Sequence, residues 1–264
     1  MVVAAGCATT QRSDALVDDE ALTTIEIERY QYRVGQLSQL WADGVVELRW
    51  HDESGKHVTQ GDLEAWVVED DHTALRVSKL GEVLLWLGSD QTTRWAFDLT
   101  KEPTTLQTHS SEESKRSWVD PRDLRCLLGI EPIPIGNGEV ILIEGETVTT
   151  SDRRRLTIDP ATGVATVIEL LDEDGAVWAR ATHQVRSIRQ VDRPGVPLSQ
   201  RPHMAFAIDI KVIGGDDLVK MSFEEISTDL TSQPLQMLFD LDRLTQALQP
   251  QRHLTPASTP GAAP

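Results

Sequence analysis

The feature that most constrains this chain is a two-residue rhythm that takes over after Gly44. In VVELRW, Val46, Leu48 and Trp50 alternate with Glu47 and Arg49. The same alternation returns in TRWAFDL, where Trp95, Phe97 and Leu99 are offset from Arg94 and Asp98. It returns again in RRLTI, VWARATHQ, AFAIDIKV and LVKMSF. Such alternation over short runs marks half-buried strands, and polar turns between the runs make hairpins. HDESGK, EDDHT, DPATG, DEDG and GGDD supply those turns, with Gly where a positive φ is needed. ALRVSKLGEVLLWLGSD reads as two strands or as one long strand bent at Gly81.

Parity within the strands sorts the side chains onto two faces. One is apolar: Val46, Leu48 and Trp50; Trp95, Phe97 and Leu99; Leu156 and Ile158; Val177, Ala179 and Ala181; Phe206, Ile208, Ile210 and Val212; Val219, Met221 and Phe223. The other is wet, with Glu47, Arg49, Arg180, Thr182, Asp209, Lys211 and Lys220, and Trp178 beside Arg180. An antiparallel sheet can be covered on one side and solvated on the other. A two-sheet sandwich shows the same pattern.

Helical signals are few. Thr23 and Glu26 have capping-box spacing, and Ile27, Tyr30, Val34, Leu37 and Trp41 recur on one face, which predicts a helix over 24–41. In DPRDLRCLLG, Asp120 can cap, Pro121 takes the first helical position and Gly129 closes a short helix. After Pro234, Leu238, Leu241, Leu244 and Leu248 follow a helical period. These pieces predict an α+β, mostly β fold: one curved antiparallel sheet, an unclosed half-barrel, with a few helices over its concave apolar face. The sheet is read as one domain over 23–249, after a flexible tether over 8–22 and before a disordered tail over 250–264. A division into two domains near 110–118 is the alternative.

Composition narrows the function. Acidic residues outnumber basic ones 42 to 25, a formal charge of −17, which disfavours nucleic acid and anionic lipid surfaces. No apolar run approaches the roughly 20 residues of a membrane-spanning helix. The seven His are scattered, and His51 and His57 read as solvated turn residues rather than as a metal site. No nucleophile elbow or phosphate-loop pattern is present, Cys126 lies in an apolar stretch, and the acidic clusters fall in turns or in the tether. The expectation is a non-enzyme with no catalytic residue, no metal and no cofactor. Arg153–Arg155 reads as a charge device at a strand edge.

VVAAG followed by Cys7 and a polar run resembles the lipobox of bacterial lipoproteins, with Ala4 where that box prefers Leu. The resemblance implies that residues 1–7 are the end of a signal peptide and that Cys7 carries a lipid anchor. Ala8 stands where some bacteria place the Asp that retains lipoproteins at the inner membrane, so the outer membrane, facing the periplasm, is the expected address.

Taken with that end, the first amphipathic helix running into DGVVELRW, the meander with LLWLGSDQTTRWAFDL, the helical interruption and the second meander with LTIDPATGVATVIELLDEDG resemble the LolA/LolB-like half-barrel lipoproteins of bacterial envelopes. The resemblance implies an unclosed barrel, a helical lid and an apolar cavity for acyl chains. The expected ligand is a lipid or the acyl chains of another lipoprotein. Seven Trp against two Tyr and four Phe favour large rigid walls. The expected lining is Leu48, Trp50, Trp86, Trp95, Phe97, Phe206, Ile208, Met221 and Phe223. The competing expectation is a structural lipoprotein with a filled interior that docks a protein partner.

Overall fold

The structure, a computed structural model, describes residues 17–52, 55–68, 72–110, 121–134, 142–144 and 147–254. Helix α1 spans Val17–Gly35. It starts earlier than Thr23. It stops at Gly35, short of Trp41, through the i→i+3 bonds Gln36 N to Arg33 O (3.0 Å) and Leu37 N to Val34 O (2.8 Å). Leu40 and Trp41 already belong to a strand and point to opposite faces of the sheet.

The first meander follows: β1 (Leu40–Asp52), β2 (Gly55–Val68), β3 (His72–Lys79), β4 (Glu82–Ser89), β5 (Thr93–Asp98) and β6 (Thr105–Ser110). The stretch around Gly81 is therefore two strands. They are joined by Leu80 and Gly81, with φ of 54° and 85°, the double positive φ of a tight hairpin turn.

Helix α2 (Pro121–Leu127) has the expected end. Gly129 takes φ of 71°, its N–H donates to Cys126 O at 2.8 Å and Ile130 N donates to Arg125 O at 3.0 Å. This is a Schellman motif, closed by the residue that adopts the left-handed region without strain. The expected cap Asp120 lies outside the described residues, as do Cys7 and Trp118.

The second meander comprises β7 (Leu142–Glu144), β8 (Thr147–Thr149), β9 (Arg154–Ile158), β10 (Ala165–Leu171) and β11 (Val177–His183). A small ribbon, β12 (Ile188–Gln190) with β13 (His203–Ala205), stands outside the main sheet. The hairpin β14 (Ala207–Val212) and β15 (Leu218–Ser227) then returns to it. Helices α3 (Leu235–Leu238) and α4 (Leu241–Leu248) follow, the latter capped by Asp240 accepting from Arg243 N at 3.0 Å. The segment from 250, expected as tail, begins with β16 (Arg252–Leu254), which pairs in parallel with β6.

One 14-stranded sheet results, in the order β16-β6-β5-β4-β3-β2-β1-β15-β14-β11-β10-β9-β8-β7. It curves and does not close. The two meanders are fused at its centre by β1 pairing antiparallel with β15, where a bulge falls at Asp43/Gly44. Gly44 is required there, since a Cβ would stand 2.1 Å from Ser222 O.

The apolar side chains form two clusters, and this corrects the parity assignment. Val46, Leu63, Val77, Leu87, Leu156, Ile168, Ala181, Ile208, Met221 and Phe223 belong to the main core under α1 and α2. Trp66, Trp86, Trp95, Phe97 and Leu106 form a second cluster with Leu238 and Leu244 of α3 and α4. Trp95, Phe97 and Leu99 thus do not share a cluster with Leu48. The reason is visible in β4, where Leu85 and Leu87 join one cluster and Trp86 the other. This half of the sheet is covered on both sides, so both parities are apolar. Trp178, expected on the wet face, packs against the main core. Its strand carries a register shift opposite Leu170/Leu171.

Candidate functional site

Strand register builds a strip of apolar side chains across the concave face. Leu48 pairs with Val219, Val219 with Ile210, Ile210 with Ala181, Ala181 with Ile168, Ile168 with Leu156 and Leu156 with Val148. That is one residue from each of seven strands. At about 4.8 Å per strand the strip runs roughly 29 Å. Beside it runs a second row, Val46–Met221–Ile208–His183. Phe206 and Phe223 stand at its end, Phe223 N donating to Phe206 O at 2.8 Å. A long, narrow and continuous apolar surface has the shape of an extended hydrocarbon chain.

Helix α1 packs over the β9 part of it, and α2 packs beside it on β3 and β4 with its C-terminal end bonded to His183 in β11. Helix α1 turns Ile27, Tyr30 and Val34 inward, followed by Leu37 beyond its end, and the α2 segment contributes Leu124, Leu127, Leu128, Ile130 and Ile133. Polar bonds to backbone carbonyls then fix the cover. Tyr30 Oη donates to Glu131 O at 2.7 Å, and Gln31 Nε2 donates to Ile133 O. Arg33, 3% exposed, donates from Nε to Gly163 O (2.8 Å), from Nη1 to His203 O (3.2 Å) and from Nη2 to Gly129 O. Arg154, the first residue of β9, a strand inside the sheet rather than at its edge, donates from Nη2 to Pro132 O at 2.8 Å.

His183 in β11 donates from Nε2 to Leu127 O at 2.8 Å, and burial holds its imidazole down to about pKa 4. Gly129 lies close against it, with a Cβ site 3.0 Å from His183 Cε1. Burial likewise lowers Arg33 to about 10 and raises the Cys126 thiol to about 12, so that thiol is protonated at neutral pH. A sequence signal existed for these tethers. Arg33 sits three residues after Tyr30 inside the apolar stripe of α1, and His183 continues the apolar parity of Val177, Ala179 and Ala181.

Of the nine expected lining residues, Leu48, Phe206, Ile208, Met221 and Phe223 meet in this core. Trp86, Trp95 and Phe97 do not. They lie in the second cluster, where the Trp95 indole covers Gly88 so closely that a Cβ there would stand 2.4 Å away. Trp50 is at the outer end of β1, half-buried and stacked on His57, ring centroids 5.0 Å apart. Among the described residues no group of three or more His, Cys, Asp or Glu is placed to hold a metal ion. No described helix is long and apolar enough to cross a membrane.

No protein-family model matches the chain, and no curated protein matches it. Among solved structures, the chain is similar to a DUF1329 family protein from Desulfovibrio piger, with a TM-score of 0.51 at 8% identity over 81% of this chain and 94% of that one. It is also similar to a Vibrio parahaemolyticus domain assigned to outer membrane lipoprotein sorting, with a TM-score of 0.49, 11% identity, and 86% and 99% coverage. A LolA superfamily protein from Nitrosomonas europaea gives a TM-score of 0.48, 10% identity, and 85% and 98% coverage. At 8% identity the likeness to the Desulfovibrio piger protein is one of fold alone. The resemblance read from the sequence is accordingly architectural: an unclosed, curved sheet with a helical cover.

Proposed function

We propose that this chain is a non-enzymatic lipoprotein of the bacterial envelope that binds acyl chains, from a lipid or from another lipoprotein, along the concave strip beneath α1 and α2. The observation that carries this reading is the seven-strand strip itself. It is unbroken by charge, lies on an unclosed sheet, and is covered by segments held through bonds to backbone carbonyls rather than by further strands. Phe206, Ile208, Met221 and Phe223 are at most 9% exposed, so an acyl chain reaches them when α1 or the α2 segment lifts. The same burial favours the second reading, a docking lipoprotein whose interior stays filled.

A fluorescent fatty-acyl probe separates the two. The carrier reading expects saturable micromolar binding, and lipid in mass spectra of protein gently extracted from its host. A lipid-free protein that leaves the probe unbound selects the docking module. Membrane attachment through Cys7, at the outer membrane facing the periplasm, is part of the proposal. With an upstream leader supplied, Cys7→Ser should release a folded protein into the periplasm or medium, and unchanged membrane association would remove the anchor from the account.

A further inference from the structure

A second concave feature lies just past the Leu48–Val219 end of the acyl strip, at the tips of two hairpins. Arg49 and Leu218 are the last residues paired between β1 and β15, while β1 itself continues to Asp52 and β2 begins at Gly55. Beyond that pair the β1–β2 tip and the β14–β15 turn part, and a cleft of about 390 Å³ opens between them. His51 N donates to Asp217 Oδ1 across the parting at 3.3 Å.

The residues that line the cleft carry more cations than carboxylates, with Glu47 paired to Arg49 and Asp217 at its edge. Three cations line it, Arg49, Lys56 and Lys211, against one carboxylate, Asp216, in a protein with 17 more acidic than basic residues. Each cation is set differently. Arg49 is steered by Glu47, which accepts from its Nε at 2.7 Å and is itself held by Gln60 Nε2 at 2.8 Å. Lys56 Nζ lies 3.0 Å from Asp216 Oδ2. Lys211 is exposed and joins no ion pair among the described residues. The rest of the lining is mostly apolar: Trp50 stacked on His57, with Leu218 and the exposed Val58.

A cleft lined by both cations and apolar side chains fits a compact anion attached to an apolar stem. We propose that this cleft binds a phosphate-bearing anion, with Lys211 and Arg49 as its charge partners and Asp216 as an internal competitor that occupies Lys56 until the anion arrives. Phosphate is tetrahedral and multiply charged, and ammonium and guanidinium donors converging from two hairpins suit it. The source is a phospholipid headgroup, whose stem would meet Trp50, or free phosphate. The proposal does not depend on acyl binding beneath α1.

Titrations of the folded full chain with monomeric dihexanoyl phosphatidylglycerol, with inorganic phosphate and with a neutral short-chain glucoside test it, read by amide shifts in residues 49–58 and 211–218. The account expects both phosphates to bind, the glucoside to fail, Lys211→Gln to weaken binding about fivefold and Asp216→Asn to strengthen it about threefold, the scale of single exposed charges. Tighter binding of the lipid identifies a headgroup site, and equal binding identifies a phosphate site. Both side chains are exposed, so thermal unfolding of the two variants should match the parent and exclude misfolding. Equal affinities in parent, Lys211→Gln and Asp216→Asn, or binding of the glucoside as tight as that of the lipid, would overturn the proposal.

Discussion

The two apolar clusters flank the same sheet and are closed by different means. The main core is covered by α1 and the α2 segment, which are pinned by Tyr30, Gln31, Arg33, Arg154 and His183 to backbone carbonyls. The tryptophan cluster on β2–β6 is covered by α3 and α4, whose contacts are mostly apolar: Leu238 and Leu244 press on it, and Phe239 meets His72 edge-on at 5.1 Å. One polar tether is present there, Trp66 Nε1 donating to Gln233 Oε1 at 3.0 Å. Arg76 lies over the Trp66 and Trp86 rings at 5.6 and 5.4 Å, adding cation–π attraction. Among the described residues the Nε1 donors of Trp86 and Trp95 are buried without a partner, and so are Nε and Nη1 of Arg154 and Nδ1 of His183 on the main-core side, so both covers carry this cost. The difference teaches that apolar area alone closes a cover without fixing it. Directional bonds give one closed position, and they can also be released singly. On this reading α3–α4 is the less stable cover, and α1 the specific one.

The largest expected effect lies in the main core. Ile208→Asp places an unpaired carboxylate at a fully buried site, and should cost several kcal/mol and unfold the chain. Lys211→Asp, on the solvated side of the next-but-two position, should change stability by about 0.5 kcal/mol or less. Equal melting temperatures would break the assignment of faces in β14.

Next come the tethers. Arg33→Met strips hydrogen bonds from three carbonyls, and should cost roughly 3–4 kcal/mol. Gln233→Ala, at the other cover, should cost about 1 kcal/mol and expose the tryptophan cluster locally, seen as faster amide exchange in 235–248 with β9–β11 unchanged. If the two losses match, the contrast between the covers fails.

Acid sharpens the same contrast. His183 has its pKa lowered from 6.5 to about 4 by burial. Above pH 6.5 the imidazole is neutral in both folded and unfolded chains and contributes no pH dependence. Below that, the unfolded chain takes up a proton that the folded chain refuses, so stability falls as pH drops from 6.5 toward 4. The total is about 3 kcal/mol. Urea titrations at stepped pH should show this slope in the parent and lose it in His183→Gln.

How much of this was legible beforehand varies with the environment of each strand. In β1, β14 and β15 one parity is apolar and the other charged, so the inner face followed directly from Val46, Leu48, Ile208, Ile210 and Met221. The end of α2 was equally legible, because Gly129 supplies a local conformation. In β4 and β5 alternation was uninformative. LWLGS is buried on both parities, and Arg94, which marks a polar side by type, is itself 4% exposed with Nη2 donating to Ser110 O at 2.5 Å. Which cluster Trp95 joins depends on its pairing with Gly88 across β4–β5, since a one-residue slip reverses every side chain. The short strands β7, β8 and β16 carry too few residues to show a period, and β6 offers one apolar side chain, Leu106. The tethers Arg33 and His183 read as interruptions of apolar stripes, and their carbonyl partners are set by tertiary structure alone.

The central claim, that an acyl chain lies along the concave strip and not under α3–α4, is tested most directly by fluorescence quenching with a brominated fatty acid. Trp178 packs against the main core, whereas Trp86 and Trp95 belong to the opposite cluster. The account expects quenching to fall in Trp178→Phe and to persist unchanged in the Trp86→Phe/Trp95→Phe double variant, with acyl affinity matched across all three proteins. Quenching that survives Trp178→Phe and disappears in the double variant would place the chain beneath α3–α4 and contradict the account.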